Sequence, residues 1–273
     1  MTLILAIVAG ALIGLSLGAL GGGGSILAVP VLVYLLDQSP AQATTGSLVV
    51  VGVTALIGAV AAARAGHVML GRGVVFGLVA LGGAVGGAKA SAHVDEDILL
   101  ASFAALMLLV GAIMAVRQLR HDHQGPQHAP RPALDDPIIT FSPTFACACP
   151  RALKVLVTAT LVGLLTGFLG VGGGFLVVPA LLLGLALPLP YAAGTSLVVI
   201  AITSATALAI RAEVGTAPDW GAVLALTLAS AVAAVLGARI ASRTNTRRLS
   251  AAFTVLVLAV AVYTAARAVP ALL

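Results

Sequence analysis

Residues 14–30 read GLSLGALGGGGSILAVP, and residues 163–179 read GLLTGFLGVGGGFLVVP. Aligned without a gap, they agree at Gly14/Gly163, Leu15/Leu164, Gly18/Gly167, Leu20/Leu169 and Gly21/Gly170. They agree again at Gly23/Gly172, Gly24/Gly173, Leu27/Leu176, Val29/Val178 and Pro30/Pro179. Ten matches in seventeen positions exceed what a glycine-rich composition yields by accident. The correspondence continues downstream, where Thr45-Gly46-Ser47-Leu48-Val49-Val50 faces Gly194-Thr195-Ser196-Leu197-Val198-Val199. Arg64 and Arg211 close the next apolar run in each half, and Gly87-Ala88-Lys89 faces Gly237-Ala238-Arg239. The chain is therefore a duplicated unit of about 110 residues, and the duplication governs its fold.

The medium in which that unit folds follows from composition. Of 273 residues, 60% are hydrophobic and 8% charged, with a mean hydropathy of +1.16. A water-exposed surface needs far more charge, so most of these side chains face lipid or one another. Apolar runs lie near 3–20, 25–36, 43–63, 70–91 and 97–116, then near 153–170, 174–187, 192–211, 219–241 and 249–268. The expected fold class is all-α: a polytopic transmembrane bundle of about eight to ten segments. The second run of each half is too short to cross about 30 Å of hydrocarbon comfortably, which suggests a half-helix or part of a re-entrant hairpin. Residues 1–117 form one repeat, 118–152 a polar linker and 153–273 the second repeat. No Lys or Arg precedes Arg64, so the first run lacks the basic flank of a cleaved signal and is expected to remain in the membrane.

Charge sets the orientation. The linker and its flanks carry Arg117, Arg120, Arg131, Arg151 and Lys154, which places them in the cytoplasm. Counting crossings forward puts the loop Ser242–Arg248, with Arg243, Arg247 and Arg248, on the same side. Counting back puts Ala92–Asp97, with Asp95, Glu96 and Asp97, outside. Equivalent loops of opposite charge imply an odd number of crossings per half, and hence inverted repeats. The net charge of +5 is thus a matter of topology, and with 4% aromatic residues there is no basic–aromatic surface for nucleic acid.

The glycine clusters interrupt each half at the same place. Irregular backbone at membrane depth is tolerated where protein or a watery cavity covers it, and paired breaks in two repeats point to a binding site near the midplane. The segments that follow start at Ser25 and Gly174, so their first-turn amides and helix dipoles favour an anion. Pro30 and Pro179 stand where they would kink the short helix. Candidate substrate residues are Gly21, Gly23, Gly24 and Ser25 with Gly170, Gly172, Gly173 and Gly174. Close helix packing is the alternative account of these glycines. Thr44, Thr45 and Ser47, with Thr195 and Ser196, offer neutral hydroxyl donors to an oxyanion, or else cap the helices after the loops Asp37–Gln42 and Leu187–Tyr191. Arg64, Lys89, Arg211 and Arg239 either snorkel from segment ends or attract an anion at the mouth of a pathway.

The linker holds His121, Asp122, His123, His128, Cys147 and Cys149, whose spacings match no zinc signature. Cys147 and Cys149 lie too close for a good disulfide, in a loop whose compartment keeps thiols reduced. A flexible connector explains the stretch, with a metal-sensing or scaffold role acting through it as a rival function. No intramembrane His–Glu pair, Ser/Lys dyad, Gly-x-Ser-x-Gly elbow or Walker motif is present, so neither an enzyme, a metal site nor a cofactor is called for.

The elements Gly18-Ala19-Leu20-Gly21-Gly22-Gly23-Gly24 and Gly167-Phe168-Leu169-Gly170-Val171-Gly172-Gly173-Gly174 resemble the signature of the sulfite exporter TauE/SafE family. So do Pro30, Pro179 and the run Ala192-Ala193-Gly194-Thr195-Ser196-Leu197. The resemblance spans nearly the whole chain, although the N-terminal half reads Thr-Gly-Ser where the other reads Gly-Thr-Ser. It implies a permease for sulfite or another organosulfur anion in the bacterial inner membrane. The expected partners are that small anion, the lipid bilayer, and a coupling ion, proton or sodium. Self-association stays open, and an anion channel is the nearest rival to a carrier.

Overall fold

The computed structural model describes residues 2–91, 149–169, 174–184, 187–211 and 218–244, with parts of 102–116 and 251–262. In chain order the helices are α1 (Thr2–Leu20), α2 (Ser25–Pro30), α3 (Pro40–Arg64) and α4 (Leu70–Ser91). The second half supplies α5 (Cys149–Leu169), α6 (Gly174–Gly184), α7 (Leu189–Arg211) and α8 (Trp220–Arg243). A 3₁₀ turn, Gly22–Gly24, precedes α2, and a π turn, Val31–Leu35, follows it. The loop Ala92–Asp97, the linker up to Ala148 and most of the loop Ser242–Arg248 lie outside the described residues.

Local sequence explains the boundaries. Ser39 caps α3 through a capping box: its hydroxyl accepts from Gln42 N at 3.4 Å, and Gln42 Oε1 accepts from Ser39 N at 3.3 Å. Pro40, preset for a first helical turn, extends α3 three residues before the expected start. Asp219 caps α8 by accepting from Gly221 N at 3.0 Å. Pro30 has no N–H to give, and there the short helix changes register into the π turn, closed by Leu36 N on Val31 O at 3.2 Å. Pro179 stays inside α6. α5 opens at Cys149, so that cysteine stands in a first helical turn and not in the loop expected from composition.

Four of the described helices are long and apolar enough to cross a membrane: Gln42–Arg64, Leu70–Gly87, Leu189–Ala209 and Trp220–Ala241. At 1.5 Å per residue the 25 residues of α3 reach about 37 Å, whereas the 11 of α6 reach about 16 Å. α8 shows how the faces divide. Leu224, Leu228, Val232 and Leu236 form an exposed stripe, while Val223, Leu226, Ala233 and Ala234 are buried. An apolar outer stripe is what a helix needs when its solvent is lipid, and the alanines of the inner face allow close approach.

The repeats do not fold as separate lobes. α1 packs along α8, and its counterpart α5 packs along α4. A Cβ placed on Gly14 or Gly18 would fall on the Ser230 or Ala234 carbonyl, and one on Gly163 or Gly167 would fall on the Ala80 or Ala84 carbonyl. Those targets are themselves matched between repeats, so one contact is built twice. Gly237 against Leu15 and Gly87 against Leu164 complete the set from the other side. Along both pairs the residue numbers rise together, so the paired helices run parallel.

α3 and α7, equivalents of one another, cross with the opposite sense. Gly52 meets Ser204 and Gly58 meets Leu197, so one number falls as the other rises. They run antiparallel. Gly46 beside Val223 and the hydroxyl contact of Thr54 with Ser230 (2.7 Å) make α8 parallel to α3. Gly73 beside Thr195 and Gly77 beside Ile202 make α4 parallel to α7. Each of α1, α3 and α8 therefore runs opposite to its counterpart α5, α7 or α4. Two apolar cores result, and each draws on both repeats. One centres on Ile13, Leu17, Leu32 and Leu226, the other on Phe76, Leu181 and Val199. Leu32/Leu181 and Leu226/Phe76 are equivalent pairs.

Gly82 and Gly83 test the cross-repeat contact side by side. A methyl on Gly82 meets nothing within 4 Å, whereas one on Gly83 would collide with the Thr160 carbonyl and lie 2.8 Å from Leu164 N. Thermal unfolding in detergent should show Gly82→Ala at or slightly above the wild-type midpoint, from helix propensity. Gly83→Ala should lose about 1–3 kcal/mol by overpacking. Equal midpoints would remove the close approach of α4 and α5 as a determinant of stability.

Candidate functional site

The first glycine break is a chain reversal held by one residue. Gly21 has φ 74° and ψ −121°, a conformation that an L side chain rarely adopts. A Cβ there would lie 2.7 Å from Ser196 Oγ and 2.8 Å from Ala193 Cα. The break thus seats directly on the Ala193–Ser196 turn of α7, in the other repeat. Gly24 folds back onto α1, where a Cβ would meet the Ile13 carbonyl and lie 2.7 Å from Leu17 N. Gly21, Gly22, Gly23, Gly24 and Ser25 are all buried.

Ser25 and Gly174, equivalent by the same 149-residue offset, meet each other. A Cβ on Gly174 would lie 2.8 Å from Ser25 Oγ and 2.9 Å from Ile200 Cδ1. Ile200 is the middle residue of α7, so the two helix starts converge at mid-height of the bundle. Both close packing and the gathering of two helix N-termini are therefore present in the same atoms. Gly170, Gly172 and Gly173 lie outside the described residues.

The hydroxyl cluster is buried but does not cap its own helices. Thr44, Thr45 and Ser47 stand five to eight residues inside α3, whose cap is Ser39, and Thr195 and Ser196 stand seven and eight residues into α7. Capping at the preceding loops is thus corrected: Ser39 already supplies the cap of α3, and Thr195 and Ser196 lie too far inside α7 to cap it. Ser47 Oγ donates to Thr44 O at 2.8 Å, and Ser196 Oγ donates to Ala193 O at 2.7 Å, the same bond in both repeats. Thr195 is fully buried, and its Oγ1 accepts from Met69 N at 3.2 Å across the repeat boundary, satisfying the chain just before α4. The first repeat has Gly46 where the second has Thr195, and the chain entering α8 is capped instead by Asp219.

A cavity of about 410 Å³ opens beside the Gly21 break. Its walls are the ends of four helices: Gly18 and Ala19 of α1, the Ala61–Arg64 end of α3, the Pro190–Leu197 start of α7 and the Val235–Ala241 end of α8. Arg64 and Arg239, named separately from sequence, line this one space and are exposed. The N-terminus of α7 adds its partial positive charge. Lys89 lies in α4 and Arg211 ends α7, and their side chains lie outside the described residues.

Sequence reasoning missed His67 and Gly194. The His67 ring stacks edge-on to Tyr191 at 5.7 Å between centroids, and His67 lines the cavity. Gly194 is required because a Cβ would strike the His67 carbonyl. A lone histidine just after Arg64-Ala65-Gly66 in a chain so poor in charge was the available signal. Gly194 stood inside the quoted Gly-Thr-Ser element, but only its hydroxyl neighbours were chosen.

A family model described as "Sulfite exporter TauE/SafE" matches residues 6–264. The chain belongs to the TauE/SafE family. Two relatives, each named "Probable membrane transporter protein", come from Xylella fastidiosa strains 9a5c and Temecula1 / ATCC 700964. Each is 32% identical over 265 residues, covering 96% of this chain and 94% of the relative. No solved structure matches. Family and apolar helices together make this a multi-pass membrane transporter.

Three substitutions probe this TauE/SafE site. Gly66 shares the φ of 74° but has nothing within 4 Å, so it isolates backbone strain from collision. Gly66→Ala should cost about 1–2 kcal/mol in thermal unfolding. Gly21→Ala should cost more, because Ser196 and Ala193 must also move, and should abolish transport while the protein still inserts. Equal effects of the two would remove the seat on α7. Thr195→Val, close in shape, should cost about 1–3 kcal/mol by orphaning the Met69 amide. A Thr195→Val midpoint equal to wild type would show that this bond contributes nothing.

Proposed function

We propose that this transporter moves a small oxyanion, sulfite or an organosulfonate, across the bacterial cytoplasmic membrane. The observation that carries the reading is the cationic cavity walled by Gly18 and Ala193, beside the Gly21 break. Arg64, Arg239 and the start of α7 attract negative charge, and beyond them lie neutral hydroxyls and glycine backbone, not counter-charges. An anion passing from the first group to the second meets donors without a deep electrostatic trap. Family membership supports the organosulfur class, since the matching model is named for sulfite export.

The two repeats are read as inverted across the bilayer. Support comes from α1, α3 and α8, each antiparallel to its counterpart, and from the opposite charges of the loops Ala92–Asp97 and Ser242–Arg248. With the arginine-rich loop in the cytoplasm, the cavity faces the cytoplasm, and this conformation is open to that side. Rocking of the two mixed cores about the Ser25–Gly174 contact would close it and open the matching space at the other face. The residues that meet the substrate are then Gly21, Gly23, Gly24, Ser25, Thr44, Thr45 and Ser47, with Gly170, Gly172, Gly173, Gly174, Thr195 and Ser196. Arg64 and Arg239 act at the entrance, and Lys89 and Arg211 hold the corresponding stations of the opposite route. A proton or sodium gradient drives the cycle.

Proteoliposomes loaded with sulfite, sulfoacetate, thiosulfate or sulfate provide the test, with and without imposed proton or sodium gradients. Saturable flux of a sulfur oxyanion is expected, stimulated by one gradient. Arg64→Gln and Arg239→Gln should each raise the apparent KM by about two- to fivefold, corresponding to about 0.5–1 kcal/mol for a partly solvated charge. Flux rising linearly with concentration would replace the carrier by a channel. Absence of flux for all four anions would overturn the substrate class.

A further inference from the structure

Gln38 sits in the turn between the π turn and α3, and its backbone N–H donates to Leu32 O at 3.1 Å. The second repeat makes the same bond from Leu187 N to Leu181 O at 3.2 Å. Gln38 and Leu187 therefore occupy one position of the repeat, and both are buried, at 7% and 5% exposure. Leu187 belongs to an apolar core, where its side chain needs nothing further. Gln38 brings two donors and an acceptor to the same place, and neither Oε1 nor Nε2 has a hydrogen-bond partner.

Buried amides are nearly always satisfied, and a leucine packs at the equivalent site without that cost. An orphaned amide retained in such a place points to a polar visitor. The side chain reaches α3 at Gly46, the residue between Thr45 and Ser47: a Cβ there would lie 3.6 Å from Gln38 Oε1. Through the 149-residue offset, Thr44, Thr45 and Leu48 correspond to Ala193, Gly194 and Leu197, which line the Arg64–Arg239 cavity. Gln38 thus stands in the turn that leads into those counterparts, at the end of α3 opposite the cavity.

We propose that Gln38 is a substrate-contacting residue of the route on the face opposite the cavity. When that face opens, its Nε2 protons donate to an oxygen of the anion beside Thr45 and Ser47. A neutral amide binds such an oxygen without introducing a charge that must itself be desolvated. The two faces then differ in chemistry. Both have basic residues at the entrance, but one has Leu187 beside the Thr195 side of α7, and the other has an amide beside the Thr45 side of α3. This inference rests on the transporter reading and adds the residue that meets the anion at the second face.

Two measurements test it, one of which needs no knowledge of the cargo. In full-length protein carrying Cys147→Ser and Cys149→Ser, Gln38→Cys should react with a membrane-impermeant maleimide in intact cells. Val50→Cys, fully buried within α3, serves as the control and should not react. Labelling of Gln38→Cys no faster than of Val50→Cys would overturn the proposal, because no open route would reach the position. In proteoliposomes, Gln38→Leu should unfold at or above the wild-type temperature, since leucine already fits the equivalent site. Its sulfite flux should show an apparent KM raised about tenfold. Wild-type KM and kcat in Gln38→Leu would also overturn the proposal, leaving a wetted position that touches no substrate. If the wild-type protein carries none of the four anions, the cargo class falls, and the labelling comparison alone decides whether Gln38 faces a route.

Discussion

Backbone touches backbone along two helix pairs, and the other features of this bundle follow from that approach. Lipid offers no hydrophobic reward for bringing apolar helices together, so association depends on contact distance and on polar groups with no other partner. Gly14 and Gly18 bring α1 against Ser230 and Ala234, and Gly163 and Gly167 bring α5 against Ala80 and Ala84. Each contact joins one repeat to the other. Neither half can then be completed alone, since α1 finds its surface on α8 and α5 finds its surface on α4. The mixed cores, with Leu32 and Leu226 in one and Leu181 and Phe76 in the other, follow from this exchange.

The same exchange positions the centre. Once α1 and α5 are fixed on foreign partners, the short helices after them are drawn inward, and Ser25 meets Gly174 at the level of Ile200. A hairpin ending so deep leaves backbone that lipid cannot solvate, and it must be covered by protein. Gly21 is covered by the Ala193–Ser196 turn, and the space left over beside it is the cavity lined by Arg64 and Arg239. Close packing thus constrains the glycines at both levels. A methyl group at Gly14 threatens assembly, whereas one at Gly21 threatens the reversal beside which the cavity lies.

Much of this was legible in the residues because a duplication prints its own alignment. The breaks before Ser25 and Gly174, the ends at Arg64 and Arg211 and the short second run of each half all came from comparing one half with the other. What stayed hidden was which half each element would touch. The pattern GLSLG marks a close approach but carries no address, and the partner carbonyl at Ser230 is more than two hundred residues away. Thr195 shows the same limit: its hydroxyl was recognised as a donor or cap, yet it serves as acceptor for Met69, in the turn before a helix of the other repeat. Gln38 was invisible for a different reason. A single polar residue in a loop looks solvated until its counterpart, Leu187, is found inside a core.

Those departures from symmetry carry the remaining meaning. An inverted pair of identical repeats would present the same surface to both sides of a membrane, and its two open states would bind a substrate equally well. Gly46 against Thr195 and Gln38 against Leu187 break that equality at buried positions around the hydroxyl clusters. Met69 against Asp219 breaks it in how the next helix begins. In the proposed alternation, a hydrogen bond present on one side only would bias which conformation is favoured empty, and an amide that meets the anion on one side only would bias which is favoured loaded. Such biases change which face rests open and how tightly each face binds, while the direction of net movement is set by the gradient. The contacts shared by the halves build the frame, and the few that are not shared make its two ends unlike.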